Sequence, residues 1–308
     1  MIGIDVGGAN LKIVDEDKVR IHYCPLWKDS PLGALLEEYA GKEAAVVMSG
    51  ELADCFSSRM EGISFIVDAV RKAVPGAVFY GMDGEFHEHA VPELAAANWL
   101  ASADFLREAH PRAVLVDMGS TTTDIIPLSP FSRLLGLTDL ARLQKGYLVY
   151  TGLLRTNVAA ILQSVTIDGT PTPVASEFFA QSADAHRVLG TISASEYCVP
   201  TPDGADTSPE ASLRRLARVV CADPEELGEQ GAYAIAKQVW EAQRSVLQRR
   251  IGAAVHESGA DEVLAAGIGS KLLTGLCGVR ELPGVIGCAS DALPAYAVRE
   301  VYRRITGR

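Results

Sequence analysis

Apolar residues fill consecutive positions in Ile2-Gly3-Ile4-Asp5-Val6, the pattern of a strand covered on both faces. Similar short runs predict strands near 10–14, 18–24, 44–48 and 77–81. Between them the period lengthens to that of a helix over 33–40, 62–74 and 93–108; in the second, Ile63, Ile66, Val67, Val70 and Val74 share one face. Near 113 the opening pattern returns as strand, turn and strand through Ile126, followed by a loop with Pro127, Ser129 and Pro130. Helices are predicted over 151–163 (entered through Thr151-Gly152), 174–190 and 209–220, with a Pro-, Asp- and Thr-rich surface loop at 199–209. A long helix is predicted from Asp223 to His256, with Asp223 as N-cap, Pro224 in the first turn and a break at the glycines 228–231. A strand at 263–265 and a helix over 291–305 close the chain. Alternating strands and helices predict an α/β fold. It divides into two lobes, 1–112 and 113–308, with no low-complexity linker and a cleft between them.

Each lobe opens on one motif. The first reads Asp5-Val6-Gly7-Gly8-Ala9-Asn10-Leu11-Lys12; the second reads Asp117-Met118-Gly119-Ser120-Thr121-Thr122-Thr123-Asp124. Glycine after a strand permits a tight turn and close approach of an anion to the backbone, and successive N–H groups there form an anion-binding nest. An ionised Asp at the strand end only accepts hydrogen bonds and suits Mg²⁺ or a bound water. A single Gly-Gly-x-Asn is equally a plain hairpin turn. Two copies favour two jaws gripping one polyphosphate. Lys12 lies two residues beyond Asn10, on the same strand face, where its ammonium can neutralise phosphate; otherwise it is a solvated strand lysine. The threonines either supply hydroxyl donors or are good strand material.

Weaker candidates follow. Ala265-Ala266-Gly267-Ile268-Gly269-Ser270 puts Gly267 and Gly269 between a strand and a helix, for a phosphate or nucleotide or for close packing. Glu51 and Asp54, with Arg59 and Glu61 nearby, follow a strand end where α/β proteins place ligands; surface capping is their plain alternative. Asn98 and Trp99, near His87 and His89, could wall an aromatic substrate or serve the core. His186 and Glu177 read as structural, mid-helix residues.

A net charge of −11 argues against nucleic-acid or anionic-membrane partners. The arginines 244, 249 and 250, and 299, 303, 304 and 308, fit solvated helix faces. Cys24, Cys55, Cys198, Cys221, Cys277 and Cys288 show no CxxC or zinc spacing, so they read as reduced, mostly buried thiols of a cytoplasmic protein. A strand at the very N-terminus leaves no signal peptide, and no apolar run reaches the ~18 residues of a membrane span.

The repeated Asp-x-Gly motif and the late Ala-x-Gly-x-Gly resemble the phosphate-1, phosphate-2 and adenosine elements of the actin/sugar-kinase/Hsp70 superfamily. That resemblance implies a two-lobed, ribonuclease H-like α/β fold with Mg-polyphosphate in a central cleft. More narrowly, Ile4–Lys12, Ser49-Gly-Glu-Leu-Ala-Asp54, Ala96-Ala-Asn-Trp99 and Asp117–Asp124 are together similar to short hydantoinase/oxoprolinase-related proteins of tetrahydromethanopterin-linked one-carbon metabolism. This implies an archaeal transferase of methanofuran biosynthesis. It would couple (5-(aminomethyl)furan-3-yl)methyl diphosphate to the phenol oxygen of γ-glutamyl-tyramine and release diphosphate, consuming no nucleotide. In that scheme Mg²⁺ sits on Asp5 and Asp117. Gly7, Gly8, Asn10, Gly119, Ser120, Thr121 and Thr122 cradle diphosphate, with Lys12 beside it. Glu51 or Asp124 takes the phenol proton, Arg59 or Arg155 holds the glutamyl carboxylates, and Asn98 and Trp99 hold a ring. The partners are small molecules, and a homodimer is compatible with them. An ATP-dependent small-molecule kinase is the main alternative. A hydantoinase-type amide hydrolase and a non-enzymatic, actin-type nucleotide sensor stand behind it.

Overall fold

The computed structural model describes residues 1–16, 18–28, 30–276, 278–282 and 289–307; Cys277, Cys288 and Arg308 lie outside them. The first part of the chain runs β1 (Ile2–Val6), β2 (Asn10–Asp15), β3 (Lys18–Tyr23), α1 (Leu32–Leu36), β4 (Ala44–Met48), α2 (Arg59–Ala73), β5 (Ala77–Tyr80), β6 (Phe86–His87) and α3 (Asn98–Leu106). It continues through β7 (Ala113–Met118), β8 (Thr123–Pro127), α4 (Asp139–Lys145), β9 (Leu148–Val149), α5 (Val158–Ile161), β10 (Ser164–Ile167), β11 (Thr170–Pro173) and α6 (Ser182–Val188). Then come α7 (Pro209–Arg218), α8 (Pro224–Ser258), β12 (Glu262–Ala266), α9 (Ser270–Leu273), β13 (Val279–Glu281) and α10 (Leu293–Thr306).

Two sheets share one plan. The first is ordered β3-β2-β1-β4-β5-β6 and the second β9-β8-β7-β12-β13. In each, the Asp-bearing strand (β1 or β7) pairs antiparallel with the strand that follows its glycine turn, and parallel with a strand on its other side. Only a crossover can bring a parallel partner in; α1 lies in the connection from β1 to β4, and α2 connects β4 to its parallel neighbour β5, with Ile63, Ile66, Val67 and Val70 buried. Ser58 caps that helix by accepting from Glu61 N at 3.2 Å.

The last helix returns to the first sheet. α10 crosses β1 so closely that a Cβ on Gly3 would stand 1.8 Å from the Ala295 carbonyl oxygen. Arg299 donates to Glu16 O at 2.7 Å, and Arg304 to Asp104 O at 3.1 Å. Arg299 is buried and is a cross-link, not part of the solvated face that its spacing predicts, whereas Arg304 is exposed as predicted while also bonding across to α3. One apolar cluster joins the lobes, with Val47 of β4, Leu100 of α3, Leu115 of β7, Leu264 of β12 and Val298 of α10.

The strands of both motifs and the break in α8, at Gly228 with φ 72° and ψ 159°, stand where the pattern predicts them. Elsewhere the helix pattern misleads. Of 151–163, only α5 is helical, because Leu153, Leu154 and Arg155 donate their N–H groups to the carbonyls of Gly119 and Ser120. Of 174–190, only α6 is helical, and Glu177 lies outside it. Just before that segment, the hairpin β10–β11 went unforeseen. The helix expected from 93 starts at Asn98, after Ala96 adopts a φ of 49°. Among the described cysteines only Cys24 is buried, whereas Cys55, Cys198 and Cys221 are exposed, against the expectation of buried thiols. No helix among the described residues is long and apolar enough to cross a membrane.

Candidate active site

The two glycine turns close with the same hydrogen bond. Gly7 N donates to Asn10 O at 2.9 Å, and Gly119 N donates to Thr122 O at 2.9 Å. The N–H groups of Gly8 and Ala9, and of Ser120 and Thr121, are left out of these closing bonds. Both turns line one cavity of about 380 Å³ between the lobes. Into it the strands bring Asp5, Lys12, Asp117 and Asp124, joined by Asn98 at the start of α3 and by Arg155.

Register fixes the charges. Asp5 stands opposite Lys12 across β1 and β2, with the ammonium 3.7 Å from the carboxylate. Asp117 stands opposite Asp124 across β7 and β8. The position that is lysine in one lobe is thus aspartate in the other. Burial, partly offset by Lys12, raises the Asp5 carboxyl above its usual range, and Asp5 Oδ1 has no partner among the described residues. Asp117 is pushed up to about 7, first by burial and then by Asp124, Asp5 and Asp291, against the pull of Lys12. Asp124 is also raised by burial, with Arg142 opposing.

Arg142 was not foreseen in the sequence. It is buried, donates to Asp139 Oδ1 at 2.8 Å and to Asp124 Oδ1, and lies 4.3 Å over the Trp99 ring. Trp99 therefore belongs to the interlobe core behind Arg142 and does not line the cavity. The cue available was Thr138-Asp139, a helix start whose Asp can pair with an Arg three residues on. Trp27 and Tyr150, both lining the cavity, were also missed, because neither belongs to a motif.

Several other predicted residues lie behind the site. Glu51 is 1% exposed and does not line the cavity. Burial raises its carboxyl, and Arg59, also outside the cavity, stands 3.9 Å away. A Cβ on Gly267, whose φ is +79°, would lie 2.3 Å from Asp117 Oδ1, and one on Gly269 would lie 2.5 Å from Met118 Sδ. These glycines let the end of β12 pack against the second motif. A separate cavity of about 260 Å³, lined by Ser270, Lys271, Glu281 and Asp291 among others, lies next to them.

The loop 151–156 clamps the second turn. A Cβ on Gly152 would be 2.6 Å from Thr121 N. Thr123 donates to Thr151 O at 2.7 Å, and Gln243 donates to Thr151 Oγ1 at 2.8 Å and Gly152 O at 3.0 Å. His186, held down to about 4 by burial, is neutral and pairs with Gln243 Oε1 at 3.1 Å. The clamp leaves Arg155 at the cavity with Nε and Nη2 unpartnered among the described residues.

Residues 42–298 match the family model described as Hydantoinase/oxoprolinase. The chain belongs to the hydantoinase/oxoprolinase family. Within it, the chain is 35% identical over 324 aligned residues, 99% of this chain and 98% of its relative, to (4-{4-[2-(γ-L-glutamylamino)ethyl]phenoxymethyl}furan-2-yl)methanamine synthase of Methanocaldococcus jannaschii. It is 32% identical over 160 residues to the protein of the same name from Methanococcus vannielii, covering 52% of this chain and 72% of that one. Nucleotide-free acetone carboxylase has a similar fold, with a TM-score of 0.54 at 10% identity over 96% of this chain and 69% of that one. The fold of this family member is accordingly the two-lobed α/β actin-like arrangement expected from the paired motifs.

Proposed function

We propose that this family member joins a furan-methyl diphosphate to the phenol oxygen of γ-glutamyl-tyramine and releases diphosphate. The observation that carries the reading is the pair of facing glycine turns on one cavity, in a chain similar over nearly its whole length to the methanamine synthase. In the reaction the bond from the furfuryl carbon to the diphosphate oxygen breaks with its electron pair. The phenol oxygen then bonds that carbon, and the phenol loses its proton. A furfuryl carbon tolerates positive charge, so the problem left to the protein is the developing charge on diphosphate. The N–H groups of Gly8, Ala9, Ser120 and Thr121, left out of the turn-closing bonds, and Lys12 on the same cavity are the donors that would meet that charge, the kind of stabilisation that lowers such barriers most.

The donor set fits Mg²⁺. Asp5 offers an unpartnered oxygen, and Asp117 lies in the same cavity. Among the described residues no three His, Cys, Asp or Glu side chains form a ready metal cage, which suits an ion usually held by one or two carboxylates together with substrate phosphates. Bound there, Mg²⁺ would supply charge neutralisation for the leaving group. Of the two carboxylates expected as base, Asp124 faces the cavity and Glu51 does not, so Asp124 takes the phenol proton. Its raised affinity for protons favours that role. Arg155, with two unpartnered nitrogens, receives a carboxylate of the glutamyl group; Arg59 lies outside the cavity.

The test is ³¹P NMR of the protein with Mg²⁺, γ-glutamyl-tyramine and the furan-methyl diphosphate, beside a sample with ATP. Tyramine-dependent diphosphate release with an ether product by mass supports the coupling. Cleavage of ATP to ADP with no diphosphate release replaces it with the kinase reading.

A further inference from the structure

The cavity walls mix polar groups with some apolar ones, among them two large aromatic side chains. Trp27 is 44% exposed and Tyr150 is 69% exposed, and both line the cavity. Single exposed aromatics are common on protein surfaces, but these two share three features. Each sits on the segment that leaves the outermost strand beyond its lobe's glycine turn, Trp27 after β3 and Tyr150 directly after β9. Each segment is fastened back to that turn. Cys24 N and Leu26 N donate to Ala9 O and Gly8 O at 2.8 and 3.0 Å, while Leu153 N donates to Gly119 O at 2.9 Å. Finally, one chain neighbour of each is buried and held. Leu26 is buried and its carbonyl accepts from Cys55 Sγ at 3.3 Å, whereas Thr151 is buried and bonded by Thr123 and Gln243. Two aromatic rings are therefore presented to the cavity by rigid backbone from equivalent places in the two lobes.

Holding them there leaves apolar surface in water, a cost that a ring-bearing ligand would recover. We propose that Trp27 and Tyr150 are the walls against which the phenol ring of the acceptor packs, which makes them specificity-determining residues of the site. The inference rests on the reading given under Proposed function and moves the ring-binding role away from Trp99, which is closed off beneath Arg142. The diphosphate end of the donor occupies the turns at the floor, so the acceptor enters past the exposed aromatics.

Binding tests this without turnover. Isothermal titration of γ-glutamyl-tyramine into protein saturated with Mg-diphosphate is compared for wild type, Trp27→Ala, Tyr150→Ala and Tyr150→Phe, with Mg-diphosphate alone titrated into each as a control. Each alanine variant should bind the phenol about two- to twelvefold more weakly, the worth of one aromatic contact. Tyr150→Phe should bind as wild type does, and Mg-diphosphate should bind all four alike. Quenching of tryptophan fluorescence by the phenol should also vanish in Trp27→Phe. Equal phenol affinity in all variants overturns the proposal while leaving the coupling reading intact. Weaker Mg-diphosphate binding in the alanine variants overturns it too, because the residues would then support the turns. A wild type that binds Mg-diphosphate but no phenol removes both this proposal and the acceptor assigned above.

Discussion

Asp117 offers a direct test of the charge balance in the cavity. Its carboxyl is raised from 3.8 to about 7, chiefly by burial. A carboxyl whose folded pKa lies above its unfolded one contributes stability that is complete below pH 3.8 and is lost as pH rises through about 7. At 1.36 kcal/mol per unit this difference is on the order of 4 kcal/mol. The side chain keeps some access to solvent in the cavity, so screening reduces the figure to roughly 2 kcal/mol. Asp117→Asn stays near the shape of the protonated acid and cannot ionise. In metal-free buffer with chelator, the variant and the wild type should melt together near pH 4. Above pH 7 the variant should be more stable by about 2 kcal/mol, which for a chain of 308 residues is roughly 3 °C. Calorimetric or fluorescence melting at half-unit steps from pH 4 to 8 measures the difference. A stability gap that does not change with pH would refute the account of a crowded, buried carboxylate.

Other substitutions probe the remaining parts. Asp5→Asn should abolish Mg-dependent diphosphate binding in a titration while leaving the far-ultraviolet circular dichroism unchanged. Arg142→Leu strands Asp124 and should cost about 3–5 kcal/mol in urea unfolding, with a good part restored in the double variant carrying Asp124→Asn. Gly152→Ala places a methyl 2.6 Å from Thr121 N; the variant should stay folded and lose most of its diphosphate affinity. Gly3→Ala, meeting the Ala295 carbonyl at 1.8 Å, should loosen α10 from β1 and raise amide exchange along that helix.

Much of this architecture is legible in the pattern of apolar residues. β1, β4 and β7 are nearly uniform buried runs, and such runs leave few alternatives to a covered sheet. The motif repeat added the site, because Asp and Gly at fixed offsets from a strand end constrain the backbone itself. The failures share a different cause. Residues 151–163 carry a helical period, yet the N–H groups of Leu153, Leu154 and Arg155 are taken by Gly119 and Ser120, more than 30 residues earlier. Local propensity cannot report a long-range bond of that kind. Arg142, Trp27 and Tyr150 escaped for the same reason. Their role comes from where other strands hold them; an isolated Trp or Tyr carries no offset to recognise, and the spacing of Asp139 and Arg142 signals a pair but not the cavity it lines. Glu51 is the opposite case. Its position after β4 suggested a ligand group, but α2 closes over it, with a Cβ on Gly62 only 2.1 Å from the Glu51 carbonyl oxygen.

The exchange of Lys12 for Asp124 at matching places in the two lobes has a further consequence. A diphosphate has two chemically similar ends, and two identical half-sites would accept it in either direction. At this register position one half-site carries a cation and the other an anion, so the two halves of the cleft are unlike. In the proposed coupling the terminal phosphate, with the greater negative charge, would lie beside Lys12, and the ester end, bearing the carbon to be transferred, would point toward Asp124. In a molecule whose lobes repeat one plan, that difference in sign makes the two ends of the cleft unlike, and under the proposed reaction it would set the reacting carbon on the side of the carboxylate.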